Sequence, residues 1–158
     1  INLKPFTMLK DQDFQSDLDI NFLGAVKVVK KLINKLKDAN GASVVFISTV
    51  AASIGLPFHA SISPAKAALE AYARSMAAEY AGAKISFNVV APSLADTPMA
   101  GNILKTDRLI EASKERNPMK QIGSPKQIAK AIDFLLDAHQ NWMTGQVIPV
   151  DGGMKNLK

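Results

Sequence analysis

Cysteine is absent from this chain of 158 residues. That excludes disulfides and thiolate chemistry, and it fits a reducing, cytoplasmic compartment. Histidine is scarce: His59 and His139 have no acidic or histidine partner at ligand spacing, so neither a metal site nor a nucleophilic triad is expected. No run of about 18 apolar residues occurs, so no membrane span is expected. The start, Ile1-Asn2-Leu3-Lys4-Pro5-Phe6, has no initiator Met and no basic-then-apolar order, and reads as a chain cut mid-protein rather than a signal peptide. Aromatic residues make up 6%, and no recognition motif accompanies the net charge of +5, so nucleic acid is not an expected partner. Lys27, Lys30, Lys31, Lys35 and Lys37 read instead as the solvated face of a helix. The nine glycines form no GxGxxG-like cluster.

What is present suits one soluble globular domain: 47% apolar and 21% charged residues, without repeats or low-complexity tracts. Residues 11–37 are expected to be helical, with Leu18, Phe22, Ala25, Val26, Val29, Leu32 and Leu36 at helical spacing. Ile20, Leu23 and Val28 widen that apolar surface, which predicts packing on two sides. After Asn40-Gly41, residues 43–48 form a short apolar run expected to be a strand covered on both faces. A loop over 49–60 leads to a helix over 63–81, with Ser63-Pro64 as N-cap and first residue and Gly82 as the stop. Lys66, Glu70 and Arg74 make one polar stripe on that helix. A buried strand over 85–90, irregular or short helices over 98–122, a capping-box helix over 125–138 and a strand over 146–150 complete the chain.

Three buried strands joined by helical crossovers predict an α/β fold with a parallel sheet. Such a sheet is small, and its first strand keeps an apolar edge that soluble proteins avoid. The α/β domain therefore reads as incomplete, with something upstream expected to pair there.

Four segments carry a resemblance to the short-chain dehydrogenase/reductase family: Asp19-Ile20-Asn21-Phe22-Leu23-Gly24, Val44-Val45-Phe46-Ile47-Ser48-Thr49, Val90-Ala91-Pro92-Ser93-Leu94-Ala95-Asp96-Thr97-Pro98, and Thr144-Gly145-Gln146-Val147-Ile148-Pro149-Val150-Asp151-Gly152-Gly153. The resemblance implies that residues 1–158 are the C-terminal part of a single Rossmann-type domain, carrying the last three strands of the family sheet with helices on both faces. It implies an NAD- or NADP-dependent oxidoreductase acting on a small carbonyl or alcohol. Thr49, Lys66 and Asn21 fall at the family's catalytic positions, and Lys66, Ser48, Pro92, Ser93 and Thr97 at its cofactor-binding ones. It also implies a homodimer or homotetramer built through helices 17–37 and 63–81. No metal is implied.

Two departures stand out. The family's opening glycine-rich loop is missing, and Ile62 occupies the place of the tyrosine in Tyr-x-x-x-Lys. Isoleucine cannot carry a proton, so a substitute donor is required, with His59, Ser61 and Ser63 nearby and His59 best matched in intrinsic pKa. Thr49 takes the usual serine position, and Ser93 replaces the glycine after Pro92. Thr49, Lys66 and Asn21 are expected to converge beneath Ile62, which leaves an apolar hole, with His59 at the rim. Two alternatives remain: a non-catalytic binding or structural subunit, and a Ser-Lys acyl-transfer enzyme using Ser63 and Lys66 of Ser63-Pro64-Ala65-Lys66.

Overall fold

The computed structural model describes residues 2–137 and 142–157. His139, and the end of the helix expected over 125–138, lie outside the described residues.

The first helix forms in three continuous pieces: α1 (Asp11–Leu18), one π-helical turn (Asp19–Leu23) and α2 (Gly24–Asp38). It has the two apolar sides that were expected. Val29 is buried, while Ile20, Val28 and Leu32 are 72%, 58% and 43% exposed. The lysines of α2 are exposed.

Asn40 and Gly41, both at positive φ, turn the chain into β1 (Ala42–Ile47). With β2 (Ile85–Pro92) and β3 (Val147–Val150) it forms a parallel sheet in the order β1-β2-β3. The registers run from Ala42 opposite Ile85 to Ile47 opposite Val90, and from Val89 opposite Val147 to Pro92 opposite Val150. The central β2 is buried almost throughout, as a strand covered on both faces should be. β1 is not so covered: only Phe46 is fully buried and Ile47 is 39% exposed. It lies at the sheet's edge among the described residues.

Alternation along the strands divides the side chains between two layers. Val44, Phe46, Ile85, Phe87 and Val89 pack with Val29 of α2 and with Leu69, Ala73 and Ala77 of α3 (Ile62–Tyr80). The alanines let α3 lie close to the sheet. Phe22, Tyr72, Phe46, Phe87 and Tyr80 form a run of ring contacts with centroids 5.9–6.3 Å apart. The opposite face of β1 and β2 meets α5 (Pro125–Leu136), whose Leu135 is buried. Ser124 and Gln127 close the expected capping box at its start.

Two helix ends differ from expectation. α3 begins at Ile62, so its N-cap is Ser61 rather than Ser63, and Pro64 is its third residue. Pro64 is tolerated there because the first turn's N–H groups have no intrahelical partner. Gly82 is not the stop: the helix ends at Tyr80, a 3-10 turn follows over Ala81–Ala83, and Lys84 takes the left-handed conformation. Between β2 and α5 the chain forms a 3-10 turn (Pro98–Ala100) and α4 (Asp107–Glu115), the short helices expected over 98–122.

Asn88 of β2, 1% exposed, holds the approach to β3. Its Nδ2 donates to the Met143 carbonyl at 2.8 Å and its Oδ1 accepts from the Gln146 N–H at 3.1 Å. Asn88→Ala leaves both backbone groups without that partner. It is expected to cost about 2–3 kcal/mol, read as a lower urea midpoint at unchanged m-value.

Candidate active site

Parallel strands all end on one side of the sheet. The residues that follow β1 (Ser48, Thr49), β2 (Ser93) and β3 (Asp151) therefore gather along one edge, where α/β folds bind ligands.

α3 reaches that edge with side chains spaced three and four apart, on one helix face. Ser63 Oγ donates to the Ala51 carbonyl at 2.8 Å, Lys66 Nζ to the Ile47 carbonyl at 2.7 Å, and Ser48 Oγ to Glu70 Oε1 at 2.6 Å. The polar stripe of Lys66, Glu70 and Arg74 is thus largely inward: Glu70 is 8% exposed and Lys66 half-buried, with only Arg74 at the surface. Burial holds the Lys66 ammonium below the ordinary lysine pKa. Glu70 escaped sequence reading because i, i+4 spacing of charges looks the same on a wet face and on a clamp.

Thr49 and Ser48 play different parts. Thr49 Oγ1 accepts from the Ala51 N–H at 3.3 Å, capping a 3-10 turn over Val50–Ala52, and that bond leaves its hydroxyl proton available to a ligand. Ser48 is 4% exposed and its hydroxyl proton is committed to Glu70.

Asn21 lies in the π turn, which packs on α3 through Phe22 and Tyr72. Its Nδ2 donates to the Asp17 carbonyl at 3.0 Å, so the carboxamide satisfies backbone where the helix widens. Ile62 is 3% exposed, its side chain packed into the interior.

The three candidate proton donors separate clearly. Ser61 is 1% exposed and its proton goes to Asp17 Oδ2 at 2.7 Å. The Ser63 proton goes to Ala51. His59 is partly exposed, with Nδ1 2.7 Å from the Pro57 carbonyl. A carbonyl only accepts, so Nδ1 carries hydrogen and Nε2 is the nitrogen that gains a proton when the ring is charged. Ser63 and Lys66 bond different carbonyls rather than each other, so the base-nucleophile contact of Ser-Lys acyl transfer is not made.

The Pro92-Ser93 segment is tied to the turn after β3. Ser93 Oγ donates to the Asp151 carbonyl at 3.2 Å, as does Asn117 Nδ2 at 2.7 Å. The Asp151 carboxylate accepts from the Gly153 and Lys155 N–H groups. Gly152, at φ 63, is required beside Asn117, because a Cβ there would collide with the carboxamide. Ser93 replaces the usual glycine without positive φ. Thr97 precedes the 3-10 turn and its hydroxyl makes no cap bond to it. Beside it opens a cavity of about 560 Å³ lined by Asp96, Leu104, Ile110 and Ile122, with Lys114 and Lys120 at its wall paired to Glu111 and Glu115.

Residues 2–155 match the family described as Enoyl-(Acyl carrier protein) reductase. The 3-oxoacyl-(acyl-carrier-protein) reductase MabA of Mycobacterium bovis is 30% identical over 146 residues, covering 92% of this chain and 58% of that protein. The chain therefore spans a little over half the length of that curated relative. A short chain dehydrogenase family protein from Francisella tularensis superposes with a TM-score of 0.89 at 27% identity, covering 99% of this chain and 67% of that one. A gluconate 5-dehydrogenase from Burkholderia cenocepacia, in complex with NADP and tartrate, superposes with a TM-score of 0.94 over 100% of this chain and 62% of that one. Its 21% identity speaks for a shared Rossmann-like fold.

The Lys66 clamp has a pH signature. A lysine held below its ordinary pKa destabilises the fold by a constant amount at low pH. The penalty is relieved as pH rises from the lowered pKa to the ordinary value of about 10.4, because there the unfolded chain binds more protons. Wild type should therefore gain urea stability relative to Lys66→Met as pH is raised from neutrality toward the ordinary lysine pKa. A pH-independent difference rejects this account.

Proposed function

Because this chain belongs to the short-chain dehydrogenase/reductase family, we propose that residues 1–158 form the C-terminal part of a single Rossmann-type domain in an NAD(P)-dependent oxidoreductase. The reaction is hydride transfer between the nicotinamide cofactor and a small carbonyl or alcohol. The observation that supports this reading is the hydrogen bond of Lys66 Nζ to the Ile47 carbonyl, two residues before Thr49, at the strand ends after which Ser93 also follows.

That edge fits the nicotinamide-ribose end of an NAD or NADP molecule in its chemistry. Lys66 supplies a cation for ribose hydroxyls, Thr49 a hydroxyl whose proton can polarise a substrate oxygen, and Pro92, Ser93 and Thr97 the loop against the nicotinamide. Asn21 supports the site from the π turn. When bound, the cofactor supplies or accepts the hydride. The chain's own residues then manage the proton: Thr49 orients the oxygen, and His59, through Nε2, gives or takes the proton in place of the absent phenol. The names of the relatives, reductases and dehydrogenases, favour catalysis over a binding-only subunit.

The bare apolar side formed by Ile20, Val28 and Leu32 supports a homo-oligomer, dimer or homotetramer, through helices 17–37 and 63–81. No described helix is long and apolar enough to cross a membrane. The absence of cysteine supports a cytoplasmic site of action.

In the full-length protein, His59→Ala is expected to lower turnover of a ketone panel by about 10²-fold. Ile62→Tyr is expected to raise turnover. Unchanged activity in His59→Ala removes His59 as donor, and absence of turnover in wild type and Ile62→Tyr alike removes the oxidoreductase reading. Light scattering of the full-length protein should give a dimer or tetramer. A clean monomer at micromolar concentration contradicts the oligomer.

A further inference from the structure

Asp17 is a carboxylate where an amphipathic helix would place an apolar residue. It is 2% exposed, in the last turn of α1, and none of the chemistry proposed above uses it. Its side chain and its backbone reach two different elements. Oδ2 accepts from Ser61 Oγ at 2.7 Å, and Ser61, 1% exposed, is the N-cap residue of α3. The Asp17 carbonyl accepts from Asn21 Nδ2 at 3.0 Å, within the run where the helix widens to a π turn.

We propose that Asp17 is a positioning residue that sets the π turn bearing Asn21 and the start of α3 together, and so fixes where Lys66 stands. In its catalytic consequence this rests on the oxidoreductase reading above; in its structural content it does not. Three observations support it. The amino end of a long helix favours an anion, which gives the buried carboxylate a reason to sit against Ser61. Lys66 lies only five residues beyond Ser61, so a shift of the helix start moves its amine relative to the Ile47 carbonyl. π turns are rare distortions that recur where function needs a side chain displaced from helical phase. Asn21 sits in the middle of this one.

Asp17→Val removes the desolvation cost of a buried carboxylate together with its one side-chain hydrogen bond. The Ser61 hydroxyl has a second acceptor in reach, the Asn2 carbonyl at 3.4 Å. Asp17→Val therefore separates placement from stability.

The experiment is amide hydrogen exchange by mass spectrometry on full-length wild type, Asp17→Val and Asp17→Asn, with turnover measured on the same samples. In Asp17→Val, exchange should accelerate by about 10-fold or more in the peptides covering 19–23 and 61–66, which are remote in sequence, and stay at the wild-type rate in the second half of α3 and in β2. Asp17→Asn, which keeps an accepting oxygen, should restore slow exchange in both peptides. Acceleration in neither peptide, in only one, or uniformly across the protein overturns the proposal, the last by showing a merely structural role. Where wild type turns over, kcat in Asp17→Val should fall by about 10-fold or more with an unchanged or raised melting temperature. An undiminished kcat also overturns the positioning role. Absence of turnover in wild type counts against the oxidoreductase reading alone, and the exchange pattern still decides the role of Asp17.

Discussion

Ser63, Lys66 and Glu70, on one face of α3, hold the chain at the point where β1 stops. Each takes a different group: the Ala51 carbonyl, the Ile47 carbonyl and the Ser48 hydroxyl. Beyond Ile47 the segment has left the ladder and has only Ser48's bond to Val90 from the sheet. Without the three side chains, the 3-10 turn over Val50–Ala52 and its cap Thr49 would keep only apolar packing, through buried Val50 and Ala51, to hold them in place. The helix in turn is pressed to the sheet by Leu69, Ala73 and Ala77, whose small or aliphatic side chains leave no room for a polar face on that side. Core packing thus sets the height of α3, and the polar triplet sets the register of the site.

The arrangement places charge where an apolar core would be cheaper. Glu70 and Asp17 are both buried, and each is bonded to a serine hydroxyl. Among the described residues no buried side-chain donor or acceptor lacks a partner. A buried carboxylate with a single hydroxyl partner adds little to stability, because desolvation offsets most of what the hydrogen bond returns. Its value lies in direction. A hydroxyl and a carboxylate meet at one distance and angle, whereas methyl groups slide over one another.

The loop after β2 is fixed by a different device. A backbone carbonyl, that of Asp151, receives both Ser93 and Asn117 and so joins three segments distant in sequence. The Asp151 carboxylate meanwhile closes its own turn on Gly153 and Lys155. Leu94 and Asp96, just before Thr97, are bonded to Gly123 instead.

Much of the fold was legible in the chain. The apolar runs of β1 and β2, the Asn40-Gly41 break, the Ser124–Gln127 capping box and the two-sided helix over 11–37 depend on local rules: alternation, turn chemistry, helix period. They needed nothing distant. The positions of Thr49, Lys66, Ser93 and Thr97 followed from motif resemblance and strand ends. What stayed illegible depends on contacts between remote residues. Lys66, Glu70 and Arg74 share one spacing, yet two turn inward and one outward, because β1 ends beneath the first part of α3 only. Ser61 rather than Ser63 is the N-cap of α3, and its side chain is bonded to Asp17, forty-four residues earlier. Periodicity says which face of a helix a residue occupies. Only packing decides what that face meets, and hence whether a charge there is a solvated ornament or a buried anchor.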